Sequence, residues 1–436
     1  MALRRINPMG LAVVATAFLV ALVVFGLLSR SHVPSVRGPA SDPAPGDVRS
    51  TDARIASLQA EIRNQPGDTG SYALLADAYL QKVRETGDAG FYTRAGGILA
   101  VARRRDPASS PVATGLGTLA LARHDFRGGL RYGLEAHRLA PAVVRPLGVI
   151  VDAQVELGRY GDAARTLQRM VDEKPSLASY SRVSYFRELH GDLGGALAAM
   201  RLAVAAGGDA PENAAYVQSL LGDLRFQSGQ VRAASLAYRH ALFQFPGYPP
   251  ALAGLARVDA AGGHLPRAIA RMRALVLRLP LPQYVIALGE DELAAGRAGP
   301  AARDLALVGA ERRLLAAAGV NTDAEIALYE ADHGSPRRAL ALARRAFAAA
   351  PSVRSADALG WALTASGQPS RGLAYARRAL RLGSRDPMFL YHAGMAASAA
   401  GEAGAARGYL ARALSLNPRF SPLYAPRALR VLRTLP

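Results

Sequence analysis

Cysteine is absent from this 436-residue chain, and lysine nearly so, since Lys82 and Lys174 are the only two. Without cysteine the chain has no disulfide framework, no thiolate metal site and no cysteine nucleophile. Neither lysine lies in the GK[ST] sequence of a phosphate-binding loop, because Val83 and Pro175 follow them. The HExxH pattern of zinc proteases and the GxSxG pattern of hydrolases are missing too. These absences exclude the commonest signatures of catalysis.

Charge is sparse near the N-terminus. Residues 6–29 carry no charged side chain, and residues 9–28 are nearly all apolar. A run of about 20 such residues matches the thickness of a bilayer, whereas the apolar part of a signal peptide usually has about 7 to 15. We therefore predict a single-pass transmembrane helix in residues 1–30, with the repeats outside the cytoplasm. The alternative is a secreted or periplasmic protein after signal cleavage. Residues 31–50 contain four prolines and no apolar cluster, which indicates a disordered linker.

Small residues recur downstream in a fixed register of 34. Counted from Pro387, one unit has Gly394 at 8, Gly401 at 15, Ala406 at 20, Ala413 at 27 and Pro418 at 32. An earlier unit holds the same positions with Gly222, Gly229, Ala234, Ala241 and Pro246. Positions 4, 7, 8 and 11 share one face of a first helix, and 20, 24 and 27 one face of a second. Small residues at 8, 20 and 27 let two helices pack at the close end of the usual range of about 8 to 10 Å.

About ten such units cover residues 69–420. The copies at 177–210 and 282–315 are weaker, and the first carries extra residues between Gln81 and Gly90. This pattern resembles the tetratricopeptide repeat, a helix-turn-helix of 34 residues. The resemblance implies an all-α, right-handed superhelical α-solenoid, because a single unit cannot bury its apolar face. It also implies a non-catalytic scaffold that binds a peptide or partner protein in a concave groove. By overall character the chain is similar to membrane-anchored tetratricopeptide repeat proteins of bacteria.

Two amphipathic segments flank the repeats. The first, in residues 51–68, turns Leu58 and two isoleucines to one face. The second, in residues 421–436, turns Leu429 and Leu432 to one face. Because the end units of a solenoid expose apolar surface, we predict that both segments are capping helices.

Arginine carries most of the formal net charge of +19. A basic surface can bind phosphate, so anionic-lipid or nucleic-acid binding is an alternative function. In the tetratricopeptide register, however, Arg344, Arg345, Arg377 and Arg378 fall in second helices, which line the convex face in that family. We interpret them as a solvated outer face and do not expect nucleic acid as the partner.

The resemblance implies a groove lined by first helices, at positions 2, 5, 9 and 12. Position 9 is acidic through much of the chain and aromatic towards its end. The predicted partner-binding residues are Asp77, Asp152, Tyr185, Asp223, Arg257, Glu290, Trp361, Tyr391 and Met395. Trp361, the only tryptophan, is the main candidate anchor, because tryptophan supplies rigid contact area at low entropy cost. The alternative for Trp361 is a core position between repeats.

Two further patterns have structural interpretations. The histidines His124, His190, His264 and His333 fall in turns about two repeats apart, too far from one another to share a metal ion. The acidic segment 321–334 starts with the pattern of a capping box at Thr322. We predict no catalytic, cofactor or metal residue and hence no enzyme, and leave the oligomeric state open.

Overall fold

The computed structural model describes residues 50–207 and 211–435, and within these ranges every regular element is a helix. The helices are α1 Thr51–Asn64, α2 Thr69–Thr86, α3 Gly90–Arg105, α4 Ser110–Ala122, α5 Phe126–Leu139, α6 Arg145–Glu156, α7 Tyr160–Glu173, α8 Leu177–Leu189, α9 Leu193–Ala205, α10 Pro211–Gln227, α11 Val231–Gln244, α12 Pro249–Ala261, α13 Leu265–Arg278, α14 Pro282–Ala294, α15 Ala298–Leu305, α16 Val308–Ala317, α17 Asp323–His333, α18 Pro336–Ala349, α19 Val353–Ala365, α20 Pro369–Ala379, α21 Pro387–Ala399, α22 Ala403–Leu416 and α23 Tyr424–Thr434.

The predicted anchor and most of the predicted linker lie outside these residues. Within the described ranges, no helix is both long enough and apolar enough to cross a membrane.

The described helices form ten consecutive hairpins, from α2/α3 to α21/α22, with α1 before them and α23 after them. The predicted all-α repeat arrangement is confirmed for this part of the chain. Most turns within hairpins use a glycine with positive φ, such as Gly229 at 74° and Gly401 at 79°. Such a backbone favours glycine because it has no β-carbon. His124 adopts the same conformation, at 59°, in the hairpin of α4 and α5.

The weak copy at 282–315 departs from the regular hairpin. Its second helix ends early, at Leu305, and the additional helix α16 follows it. The end of a helix leaves carbonyl groups without a partner in the helix. The hydroxyl of Tyr329, from α17, donates a hydrogen bond to the Leu305 carbonyl at 3.1 Å. The next hairpin therefore completes the hydrogen bonding that the short helix leaves open.

The core follows the small-residue register. Tyr238 of α11 is fully buried between Gly222 of α10 and Gly254 of α12. Its hydroxyl donates a hydrogen bond to Asp223 at 2.7 Å. Two glycines thus make room for one aromatic ring between adjacent hairpins.

The flanking helices pack differently from each other. Helix α1 lies against α2 with Leu58 buried. In α23 the buried side chains are Tyr424, Ala425 and Ala428, while Leu429 is 39% exposed. The prediction that Leu429 faces inward is wrong, because the helix begins at Tyr424 and its buried stripe follows that ring.

Residues about 190 positions apart are in contact, so successive turns of the superhelix touch. The hydrogen bonds that join the turns are His124 Nδ1 with Asn321 O at 2.7 Å, Val353 N to Tyr160 OH at 2.8 Å, and Asn417 Nδ2 to Phe226 O at 2.7 Å. Their separations along the chain are 197, 193 and 191 residues. The turn glycines lie at these contacts. A β-carbon on Gly158, for example, would lie 2.5 Å from the carbonyl oxygen of Pro351.

Candidate functional site

A polar chamber of about 670 Å³ lies inside the superhelix. Apart from Met200 of α9, its walls come from the first helices of six hairpins, α2, α6, α8, α10, α12 and α19. A second cavity of about 430 Å³ shares Asp152, Glu156, Tyr185 and Arg354 with it. Helix α19 reaches the chamber only because the second turn of the superhelix rests on the first. The enclosure is therefore a product of both turns.

Ion pairs between neighbouring or facing helices neutralise most of the charge on the chamber wall. Arg182 holds Asp152 with two hydrogen bonds, of 2.8 and 2.6 Å. Arg257, from the hairpin after that of Asp223, pairs with Asp223 through one terminal nitrogen, which also donates to the Tyr238 hydroxyl at 3.1 Å. The sequence suggests an acidic groove, but the structure supplies an arginine for each of these two acids, so the wall is charge-compensated rather than acidic.

One further pair links distant parts of the chain. Arg84 of α2 donates hydrogen bonds of 3.1 and 3.3 Å to Glu212 of α10, which is buried. The two residues are 128 positions apart. This pair closes the chamber on the side of the first hairpin.

Arg354 is the arginine of the chamber that has no carboxylate within ion-pair distance among the described residues. Its Nε donates to the hydroxyl of Tyr185 at 2.7 Å, and that hydroxyl donates to Glu156 at 3.1 Å. The guanidinium also lies over the Tyr185 ring, 5.3 Å from its centre. Its two terminal nitrogens make no hydrogen bond to a described residue, so they can donate to a bound molecule.

Two carboxyl groups near Arg354 have unusual acidity. Burial raises the pKa of Glu156 above its ordinary value, although Arg354 opposes the effect. Burial likewise raises the pKa of Glu188 to about 7, again against the attraction of Arg354. Near neutral pH, Glu188 can therefore either donate or accept a hydrogen bond.

The remaining wall offers neutral groups. Tyr216 is 41% exposed and lines the chamber, as do Asn213 and Gln227 of the same helix. Within the described ranges, no three histidine, aspartate or glutamate side chains lie close enough to hold a metal ion. The chamber offers hydrogen-bond donors and acceptors, paired charges and one accessible aromatic ring.

The predicted groove residues lie in three places. Asp152, Tyr185, Asp223 and Arg257 all line the chamber. Asp77 lies elsewhere and pairs with Arg145. The others, Glu290, Trp361, Tyr391 and Met395, belong to a separate cluster near the C-terminus.

The aromatic end of the predicted groove is filled. Trp361 is only 6% exposed and Tyr391 is fully buried, so their predicted placement on an open groove is wrong. The indole N–H of Trp361 donates to Asp332 at 3.0 Å, and its ring stacks on His392 at 4.6 Å. The core position considered as the alternative for Trp361 is the one observed.

The chain's own C-terminal segment covers this end of the groove. The ring of Tyr424 lies 5.4 Å from that of Tyr391, and its hydroxyl donates to Glu290 at 2.7 Å. Met395 is partly buried in the same cluster. Glu290 also lies 3.1 Å from His333 Nε2. A solenoid must cover the apolar surface of its last repeat. Here α23 covers it by packing against groove residues from several hairpins.

Sequence reasoning missed several residues of the chamber that stand at groove positions of the register. Arg354 and Tyr216 occupy position 2 of their units, and Glu188 occupies position 12. These positions carry the signal, but the prediction drew almost all of its residues from position 9. Glu156 has no such signal.

The acidic segment 321–334 forms the start and body of α17. The predicted capping box is wrong, because the side chain of Thr322 makes no capping hydrogen bond. Instead, the Asn321 side chain accepts a hydrogen bond from the N–H of Asp323 at 2.9 Å. Asn321 is also the contact of His124 from the other turn. The helix start is therefore tied to the junction between turns.

No family model and no curated protein matches the sequence. Several solved structures are similar to it. A thermophilic tetratricopeptide repeat protein of Thermus thermophilus is 21% identical over 36% of this chain and 85% of that one, with a TM-score of 0.34. PilW, a type IV pilus biogenesis factor, is 19% identical over 48% of this chain and 97% of that one, with a TM-score of 0.40. A human IFIT1 dimer is 16% identical over 76% of this chain and 78% of that one, with a TM-score of 0.47. Because these likenesses are distant, the repeat assignment rests on the register and the hairpins themselves.

Proposed function

We propose that this chain is a non-catalytic scaffold that binds an extended peptide, or an extended segment of a partner protein, inside the chamber. The observation that carries the proposal is the set of side chains that line the chamber wall. Side chains from six first helices converge there, and few of them belong to the apolar core. Residues that line a space without filling it are available for contact with a partner.

The chemistry of the wall suits a polypeptide backbone. An extended peptide presents N–H donors and C=O acceptors in alternation and carries no net charge in its main chain. The free nitrogens of Arg354 can donate to carbonyl groups, and Asn213 and Gln227 can both donate and accept. Because Asp152 and Asp223 are already paired, a peptide need not bring opposite charges of its own.

Tyr216 supplies the clearest test. Its ring is 41% exposed inside the chamber, so its removal takes away contact surface while disturbing little of the core. Phe243 is a matched control, since it is also aromatic and exposed but lies on α11, outside the chamber. We expect peptides selected from a random library on the native protein to bind Tyr216→Ala about tenfold more weakly or worse, and Phe243→Ala unchanged. Equal loss in both variants, or loss only in Phe243→Ala, would show that the chamber is not the binding site.

The proposed function also includes attachment of the protein to a membrane. We propose that residues 1–30 hold the protein on a membrane as a single-pass anchor, with the repeats outside the cytoplasm. The support is the uncharged apolar run in the sequence.

A further inference from the structure

The outer surface of two neighbouring hairpins carries large apolar side chains in contact with water. Phe243 of α11 is 83% exposed, and Leu277 of α13 is 84% exposed. They stand at the same register position, 29, on consecutive second helices. Because the position is equivalent in two consecutive units, both side chains lie on the outer face of neighbouring hairpins. Leu236, which lies two helical turns before Phe243 on α11, is exposed as well.

This apolar ridge is particular to these hairpins. Position 29 is Asp172 in α7 and Ser415 in α22, both polar and exposed. Folding gives no reason to place phenylalanine and leucine here, because neither side chain packs against a neighbour over most of its surface. Single exposed apolar residues are ordinary, but several large ones on one charged face often mark an interface.

Cations surround the ridge, and no acid lies on its helices. The sequences of α11 and α13 contain no aspartate or glutamate. Arg232 and Arg239 are exposed on α11, and Arg278 is exposed at the end of α13. Other arginines of α13 form ion pairs with neighbouring helices, such as Arg271 with Asp259 of α12, and Arg273 with Glu292 of α14 and Asp304 of α15. The surface is therefore apolar at its centre and cationic at its edges.

We propose that this face, defined by Leu236, Phe243, Leu277 and the arginines around them, docks on the surface of a bilayer that contains anionic lipid. Helices that lie on membranes combine Phe and Leu, which enter the headgroup boundary, with Arg or Lys, which bind anionic headgroups. The membrane anchor proposed above for residues 1–30 favours this occupant, because a chain held on a membrane meets it at high local concentration, and this step rests on that proposal.

Two other occupants fit less well. Nucleic acid is held mainly by cations on phosphate, which leaves exposed leucines unexplained. A symmetric dimer through this face would bring two arginine-rich surfaces together, and like charges repel. The docking face and the chamber are different surfaces, so this proposal does not depend on peptide binding.

A single fluorescent label can test the proposal in the full-length chain, because the native sequence has no cysteine. Gln244→Cys places an environment-sensitive label beside the ridge and leaves Phe243 and Leu277 intact. Ser415→Cys places the same label at position 29 of the last second helix, as a matched control. Both proteins are incorporated into phosphatidylcholine vesicles with or without phosphatidylglycerol, and some vesicles also carry a nitroxide-labelled lipid.

We expect the label at 244 to shift to shorter wavelength and to be quenched by the nitroxide lipid only when phosphatidylglycerol is present. The label at 415 should respond in neither vesicle. The double change Phe243→Ser and Leu277→Ser should raise the phosphatidylglycerol required by about tenfold, because it removes the apolar contact. The double change Arg232→Gln and Arg239→Gln should weaken the response and make it less sensitive to salt.

Three results would overturn the proposal. The two labels could respond alike, which would mean that the anchor alone brings the whole surface to the lipid. The label at 244 could respond without lipid and in proportion to protein concentration, which would identify the face as a contact between copies. It could also respond to a DNA duplex and not to vesicles, which would identify a nucleic-acid surface.

Discussion

Replacing Gly222 with alanine should destabilise the fold through one crowded ring. A β-carbon at this position would lie 2.4 Å from Cε1, 2.7 Å from Cδ1 and 2.8 Å from Cζ of Tyr238. Carbon atoms in contact usually lie about 3.5 to 4.0 Å apart, so the ring or the helix must move by about 1 Å. The ring cannot move away freely, because Gly254 touches its other side and Asp223 holds its hydroxyl.

The expected magnitude combines two opposing effects. Overpacking of a close-packed core costs about 1 to 3 kcal/mol. Alanine in place of glycine within a helix returns about 0.5 to 1 kcal/mol. The free energy of unfolding should therefore fall by about 1 kcal/mol, and by about 2.5 kcal/mol at most. Urea unfolding followed by far-ultraviolet circular dichroism measures this quantity directly.

Gly408 provides the control for the same chemical change. It lies within α22, and a β-carbon there would meet no atom within 4 Å. Gly408→Ala should stabilise the protein by about 0.5 to 1 kcal/mol, opposite in sign to Gly222→Ala. Combining Gly222→Ala with Tyr238→Leu should cost less than the sum of the two, because the crowded ring is gone. If both glycine variants change stability by the same amount and sign, the packing argument fails.

Two more substitutions test buried polar groups. Asp291 is buried in α14, and burial, together with Glu290 and Glu292, raises its pKa from 3.8 to about 7. Because the folded pKa lies above the unfolded one, the carboxyl costs nothing at low pH and destabilises the fold as the pH rises towards 7, by up to about 4 kcal/mol. Asp291→Asn should therefore stabilise the protein more at about pH 8 than at about pH 4, in urea unfolding at both; an equal effect at the two would contradict the shift. Asn417→Ala should cost about 0.5 to 1.5 kcal/mol, because it removes the hydrogen bond from the other turn while the Phe226 carbonyl keeps the one from Gly229 N–H. Faster amide exchange at the ends of both α10 and α22 would show that loss, whereas exchange confined to α22 would mean that the bond does not join the turns.

The sequence was enough to predict the hairpins and the inner position of their first helices. Small residues at fixed positions, such as Gly222 and Ala234, mark where two helices touch, and this local packing rule does not depend on the rest of the chain. The resemblance to the tetratricopeptide repeat, rather than this rule, placed Asp152, Asp223 and Arg257 on one inner surface, where the chamber contains them. Properties that repeat from unit to unit can be read from a single unit.

Properties that depend on how units add up could not be predicted. The contact between Arg354 and Tyr185 joins residues 169 positions apart. It exists because the small rotations between successive hairpins add up and bring the second turn back onto the first. No residue of either hairpin determines that total rotation. The burial of Trp361 has a similar cause. Its position in the register faces the groove, but the segment that covers it begins about 60 residues later in the chain, at Phe420.

The turn glycines connect these two levels of structure. Gly158, Gly191 and Gly229 need a positive φ to end their first helices, a local requirement that Gly367 and Gly401 share. For Gly367 and Gly401, a β-carbon would meet nothing within 4 Å. For the other three, it would lie 2.1 to 2.7 Å from a carbonyl oxygen of the second turn. A glycine that allows the tight backbone turn within a hairpin thus also allows two superhelical turns to approach each other closely. The chamber exists because that approach is possible, so its enclosure depends on glycines that line no part of its wall.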